Sequence, residues 1–224
     1  MTTTHSHLDD ELQLLKTDTL NMWKLVRLQL ERGKEALINC DKDLARQVAA
    51  VERRVNAYEL KIDRDCENIF ALFSPVAIDL RFVLAVLKIN SNLERIGDIA
   101  EGIARLVIDV DKPFDAELLK VSRIVEMFEI SDSMLLDAAA AFEKEDTKLS
   151  RTIFKKDEKL DEINNETSHT TTDYIKTHPD NIRESLHVLS MIRKLERVGD
   201  QTKNIAEEII FYIEAKVLKH KDPH

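Results

Sequence analysis

An all-α fold, built as two tandem pseudo-symmetric three-helix bundles with six long helices, is what this sequence predicts. Three observations carry the prediction. Apolar residues recur at three- and four-residue spacing along most of the chain, the period of a helix with one buried stripe. The 224 residues include only four glycines and four prolines, too few for a turn-rich β protein, while 33% are charged. One stretch also occurs twice: Leu93-Glu94-Arg95-Ile96-Gly97-Asp98 and Leu195-Glu196-Arg197-Val198-Gly199-Asp200. The offset is 102 residues (196 − 94), and Ile103-Ala104 and Ile205-Ala206 keep it.

Taken in order, the first helix runs from about Leu8 to Ile38, with Leu12, Leu15, Met22, Val26 and Leu30 on its apolar stripe. Asn39 to Asp43 carries turn and cap chemistry, with Asp41 or Asp43 able to cap a second helix from Leu44 to about Phe73. Ser74-Pro75 stops that helix and restarts the chain into a third, which carries the first motif and reaches about Val110. Asp111-Lys112-Pro113 separates two halves, 1–112 and 113–224, each expected to be one three-helix repeat. The fourth helix covers about Asp115 to Phe142. Glu145-Asp146-Thr147 caps a fifth, from about Leu149 to Ile175. His178-Pro179-Asp180 turns the chain into a sixth, which carries the second motif to about Leu218. Helices near 30 residues are roughly 45 Å long. A single six-helix coiled-coil rod is the competing layout.

The repeated stretch is locally expensive. On a helix Glu94 and Asp98 lie one turn apart on the same face, and Glu196 and Asp200 repeat the arrangement. Like charges at that spacing cost a few tenths of a kcal/mol, and a helical glycine costs about 1 kcal/mol relative to alanine. Both penalties fall at the same place in both copies. Gly97 and Gly199 point to a close backbone approach, and the acid pairs to a cation or a basic partner.

Hairpin geometry supplies neighbours. Asn56 lies 19 residues before Pro75 and Glu94 lies 19 after it, so antiparallel helices bring them to the same height, with Glu52 and Glu59 a turn to either side. In the second half Glu196 falls opposite Glu162, flanked by Asp161 and Asn164, and Glu158 matches the height of Asp200. Each bundle can thus gather four or five oxygen ligands from two helices. Carboxylates so crowded need compensation by protonation or positive charge. With no histidine or cysteine in the repeat, the donors favour hard ions such as Mg²⁺, Ca²⁺ or Mn²⁺, with iron also compatible, over structural zinc. The competing reading is a solvated salt-bridge face.

Bulk properties exclude several classes. A net charge of −9 argues against nucleic acid as a partner. Two separated cysteines, Cys40 and Cys66, have neither zinc spacing nor a disulfide framework, which fits a reducing cytoplasm. The polar N-terminus does not read as a signal peptide, and no apolar run nears the roughly 20 residues of a membrane span. Glycine-rich phosphate loops and spaced Ser-His-Asp arrangements are absent from the sequence. Met22 and Trp23 read as core or dimer contact. Arg81 reads as a helix-end salt bridge or a partner contact.

The paired Leu-Glu-Arg-(Ile/Val)-Gly-Asp segments resemble the PhoU family, whose hallmark is a Glu/Asp-x-x-x-Asp motif in each of two repeats. Ser74-Pro75-Val76-Ala77-Ile78-Asp79-Leu80-Arg81 is similar to that family's turn between helices two and three. Arg54-Val55-Asn56 and Lys159-Leu160-Asp161 are similar to its paired second-helix segments. The resemblance runs from about Leu12 to Ala215. It implies two three-helix bundles carrying metal clusters, of iron or zinc, on their surfaces. It implies a cytoplasmic, non-enzymatic regulator that restrains the phosphate-starvation response between a phosphate ABC transporter and a membrane sensor histidine kinase. Membrane association would then be peripheral and only through those partners, and a homodimer is expected. By the same resemblance Glu94 and Asp98 form the first hallmark pair and Glu196 and Asp200 the second. Asn56 and Glu59, then Asp161 and Asn164, take the supporting positions. Asn56 departs from the aspartate often found there, keeping an oxygen but dropping a charge.

The alternative is a di-iron carboxylate enzyme, a bundle type that uses two Glu-x-x-His pairs with two further glutamates. Glu166 to His169 and Glu184 to His187 match that spacing around the Pro179 turn. Antiparallel packing throws Glu166 and Glu184 to opposite ends of the pair, and neither pattern recurs in the first half.

Overall fold

The computed structural model describes residues 7–218, and these form helices and no strand. α1 spans His7–Asn39, α2 Lys42–Phe73 and α3 Ala77–Ile108. The second half holds α4 (Ala116–Val121), α5 (Ile124–Lys144), α6 (Thr147–Thr177) and α7 (Ile182–Glu214), with one 3₁₀ turn at Pro179–Asn181.

Local chemistry accounts for the starts. Asp41 caps α2, its carboxylate accepting from the backbone N–H groups of Asp43 and Leu44. Asp146 caps α6 in the same way through Lys148 and Leu149. Asp115 caps α4 through Glu117 and Leu118. Ser74 ends α2 in the left-handed region at φ 48°.

Two expectations are corrected. The helix expected from Asp115 to Phe142 is broken, because Arg123 adopts φ 54° and closes the ladder after Ser122. Its guanidinium holds Glu126 of α5 at 2.8 Å through both Nε and Nη2, and reaches Glu166 of α6 at 3.2 Å. That fork ties the break to α6. The last helix stops at Glu214 rather than Leu218, where Ala215 enters the left-handed region and returns its N–H to the Phe211 carbonyl.

α1, α2 and α3 pack on one another, and α5, α6 and α7 do the same. The halves are then joined lengthwise. α3 meets α7 about as broadly as it meets α2, and α1 meets α5. Trp23 and Met22 are fully buried core residues. The Trp23 indole Nε1 donates to the Leu135 carbonyl of α5 at 3.1 Å, across the two halves. Phe82, Phe142 and Tyr212 complete an aromatic cluster drawn from α3, α5 and α7, with ring centroids 5.6–6.3 Å apart. Arg81 donates its Nε proton to the Tyr212 carbonyl at 3.0 Å, so it caps the end of α7 from α3. No helix among the described residues is long and apolar enough to cross a membrane.

A core shared by both halves makes them unfold together. The fluorescence of Trp23, the single tryptophan, and far-ultraviolet circular dichroism should give coincident thermal transitions. Trp23→Phe removes the indole donor and leaves a void in the shared core, while the Leu135 carbonyl keeps its helical partner, and should cost about 2 kcal/mol, or about 4–8 °C in Tm. Two resolved transitions in the wild-type protein would contradict a shared core.

Candidate metal centre

The buried stripe of α2 is Ala45, Val48, Val55, Ile62, Cys66 and Ile69, a heptad-like seam. Glu52 sits in that seam, four residues after Val48 and three before Val55, and is only 7% exposed. α6 repeats the pattern. Ser150, Ile153, Leu160 and Tyr174 line its seam, and Asp157 sits in it at 2% exposure. Glu52 and Asp157 are equivalent at an offset of 105 residues (157 − 52), the spacing that also relates Asn56 to Asp161.

The motif glycines explain how an acid can occupy such a seam. A Cβ on Gly97 would lie 2.9 Å from a carboxylate oxygen of Glu52 and 3.1 Å from Val55 Cγ1. A Cβ on Gly199 would lie 2.8 Å from Asp157 Oδ1 and 2.6 Å from Leu160 Cδ1. The missing side chain is therefore the space the carboxylate fills, in both halves.

On the first site, one oxygen from each of Glu52, Glu94 and Asp98 lies within 4.8 Å of the others. No other group of three acids, histidines or cysteines among the described residues comes as close. Gln29 of α1 donates its amide to Glu52 Oε2 at 3.2 Å, while Glu52 Oε1 and Gln29 Oε1 are buried without a partner. Burial, reinforced by Asp98, Glu101 and Glu94, pushes the Glu52 carboxyl up to about 7 against the pull of Gln29. Burial and then Asp98 and Glu59 raise Glu94. Burial, Asp63 and Asp98 raise Glu59. A buried, unpartnered carboxylate oxygen among acids held above their usual range fits a bound cation, which would restore each to its charged form.

The second site gathers Glu196, Asp200, Asp161 and Asp157. Burial and then Asp200, Asp161 and Asp157 raise Glu196. Here a cation is built in: Lys203 Nζ lies 2.7 Å from Asp157 Oδ2.

Of the residues expected from sequence, Glu94, Asp98 and Glu59 share one electrostatic cluster and Glu196, Asp200 and Asp161 the other. Asn56 is exposed and Asn164 half-buried, and neither makes a hydrogen bond to these acids. Sequence reasoning placed Glu52 beside the site and omitted Asp157. The signal was present, since both are acids on an apolar seam. Glu158 and Glu162 are exposed, and Glu162 pairs with Lys159 at 2.8 Å. The Glu-x-x-His pairs are spent elsewhere: Glu166 binds Arg123, and His187 faces Asp109 at 3.7 Å.

The family model described as "PhoU domain" matches residues 19–107 and 124–209. The chain belongs to the PhoU family. Among its relatives, the phosphate-specific transport system accessory protein PhoU of Edwardsiella tarda is 33% identical over 97% of this chain and 88% of that protein. The PhoU protein of the same description from Escherichia coli K12 is 31% identical over 94% and 86%. The crystal structure of PhoU from Pseudomonas aeruginosa superposes with a TM-score of 0.85 at 29% identity, covering 94% of this chain and all of that one. The phosphate transport system regulatory protein PhoU from Streptococcus pneumoniae gives 0.83 at 28% identity, covering 95% and 100%. The PhoU repeats thus align with the two halves bearing the two glycine-acid motifs.

Two outcomes check this geometry. Gly199→Ala should destabilise by about 1–3 kcal/mol, since overpacking against Leu160 and Asp157 outweighs the helical preference for alanine. Gly97→Ala should cost less, because its nearest obstacle is the flexible end of Glu52; equal or stabilising effects in chemical denaturation would refute the close approach. In chelator, folded Glu52 keeps its proton up to about 7, whereas the unfolded carboxyl loses it near 4.5. The folded state binds more protons in that window, so stability falls as pH rises through it. Glu52→Gln should flatten that fall and stabilise the metal-free protein by about 1–2 kcal/mol at pH 8.

Proposed function

We propose that this chain is a metal-binding regulator of phosphate homeostasis, a negative regulator of the phosphate-starvation response and of phosphate uptake. It acts without catalysis, between a phosphate ABC transporter and a sensor histidine kinase. The observation that carries this reading is a family match spanning both halves, with relatives named as accessory proteins of a phosphate-specific transport system. The protein is cytoplasmic in this reading and meets the membrane only through its partners.

Metal binding is supported by the Glu52, Glu94 and Asp98 cluster, in which three acids from two helices converge on one point. The oxygen-only donor set suits iron, Mn²⁺ or Mg²⁺. When bound, the ion supplies charge neutralisation and a positive focus on an otherwise acidic face. Glu52, held by Gln29, would hold the ion from the seam, and Glu94 and Asp98 would hold it from α3. Protein contacts are supported by the α2–α3 turn, where Leu72, Val76 and Ile78 are exposed apolar side chains suited to a partner or to a second copy in a homodimer.

Deleting the gene in its host should derepress the phosphate-starvation response and raise phosphate uptake under abundant phosphate, and the wild-type chain should restore repression. Asp98→Ala/Asp200→Ala should lose metal by elemental analysis while keeping its helical spectrum, and should fail to restore repression. Full repression by a metal-free double variant would separate metal from regulation. Phosphate uptake and a starvation response indifferent to the deletion would remove the regulatory reading itself.

A further inference from the structure

The two motif sites are not equivalent. At the 102-residue offset of the motif helices, Lys203 stands where the first half has Glu101 (203 − 102). That single position reverses the local charge. In the first half Glu101 adds a further negative charge beside Glu52. Its own guanidinium partner, Arg105, is exposed and bonds it at 2.7 Å, away from the seam. Glu52 hydrogen-bonds only the neutral amide of Gln29, and Glu94 feels the guanidinium of Arg95 as Glu196 feels that of Arg197, so the charge that distinguishes the halves is the one at position 101 or 203.

In the second half the Lys203 ammonium lies 2.7 Å from Asp157, which is 2% exposed, and it also feels Asp200 and Asp161. A charge-assisted hydrogen bond to a buried carboxylate is strong, and breaking it strands that carboxylate. The other oxygen, Asp157 Oδ1, is buried without a partner as Glu52 Oε1 is, but an ion entering there would meet the ammonium already held on the same carboxylate and be repelled by it.

We infer that this chain carries one competent cation site, formed by Glu52, Glu94 and Asp98. Its second motif is closed by a tethered internal cation, Lys203. The inference rests on the metal reading given above and restricts it: the duplicated halves divide into one exchangeable site and one self-neutralised site. The ligand class of the first is a hard divalent ion or ferric iron. The second motif serves instead as a fixed copy of the metal-bound charge state, since the ammonium contributes positive charge where the first half must recruit it.

The test is elemental analysis of the full-length protein after equilibrium dialysis against Mn²⁺ and, separately, Fe²⁺ under anaerobic conditions. Asp98→Asn should abolish binding, and Asp200→Asn should leave it unchanged. Lys203→Met, which keeps the aliphatic stem and removes the charge, should raise bound metal about twofold as the second site opens. Adding Asp200→Asn to that variant should cancel the gain. Lys203→Arg keeps the charge and should retain wild-type metal content, which guards against a folding defect in the methionine variant. A wild-type protein that loses half its metal through Asp200→Asn overturns the asymmetry while leaving metal binding intact. Absence of metal from both the wild-type and Lys203→Met proteins overturns the metal reading and this inference with it.

Discussion

An acid placed in the apolar seam between two helices is the constraint on which this molecule turns. Glu52 and Asp157 each occupy a position where the helical period calls for a hydrophobic side chain, and each is nearly inaccessible to water. A carboxylate there needs room and compensation. Room comes from the facing helix, where Gly97 and Gly199 remove the Cβ that would collide with it. Compensation differs between the halves: an amide in one, an ammonium in the other. The glycine and the acid pair of the repeated motif are therefore two halves of one device, with the third element supplied from α2 or α6.

That device demands rigid helix pairing, which the rest of the fold supplies. A few tenths of an ångström decide whether the glycine backbone and the carboxylate fit together, so α2 must not rotate against α3, nor α6 against α7. The seam residues Val48, Val55 and Ile62, with Ile153 and Leu160 in the second half, fix those rotations by burial. The long α3–α7 contact and the aromatic cluster of Trp23, Phe82, Phe142 and Tyr212 then hold the halves to each other. Because α3 and α7 carry the two motifs, this contact also sets Arg95 and Arg197 along one groove between the acid clusters, together with Lys194.

Much of this was legible in the sequence, for identifiable reasons. Helix breaks at Pro75 and Pro179 follow from covalent geometry, and the caps at Asp41 and Asp146 from unsatisfied amides. Duplication was visible because the motif is both costly and repeated. Helix rotation was harder to read. Counting residues from Pro75 gave Asn56 the right height opposite Glu94, but height alone ignores which face the seam buries, and Asn56 is exposed. Extending the apolar stripe through Val48 and Val55 would have selected Glu52. The break at Arg123 had no such signal. There the Arg123 guanidinium bonds Glu126 three residues on and Glu166, 43 residues away in sequence, and neither glycine nor proline marks the break. The early end of α7 has a similar cause, for an alanine enters the left-handed region there without a glycine to announce it.

Duplication by itself would leave two identical sites, and the physics of the seam explains why they can diverge without loss of the fold. The carboxylate in each half needs positive charge nearby, but the helices register only that the need is met. A tethered ammonium meets it in the second half, and a bound ion would meet it in the first, since either permits a charged oxygen against the glycine backbone. They differ in what solution conditions can change. Lys203 reaches Asp157 from one turn beyond Asp200, so its supply of charge is fixed by the chain itself. On the proposed metal reading the first site draws its charge from outside, and its occupancy would follow ion concentration and pH through Glu52. On that reading one body would hold a constant reference and a variable site on the two helices that bind its halves together. A partner that touched both faces would then meet a charge difference set by the variable site alone.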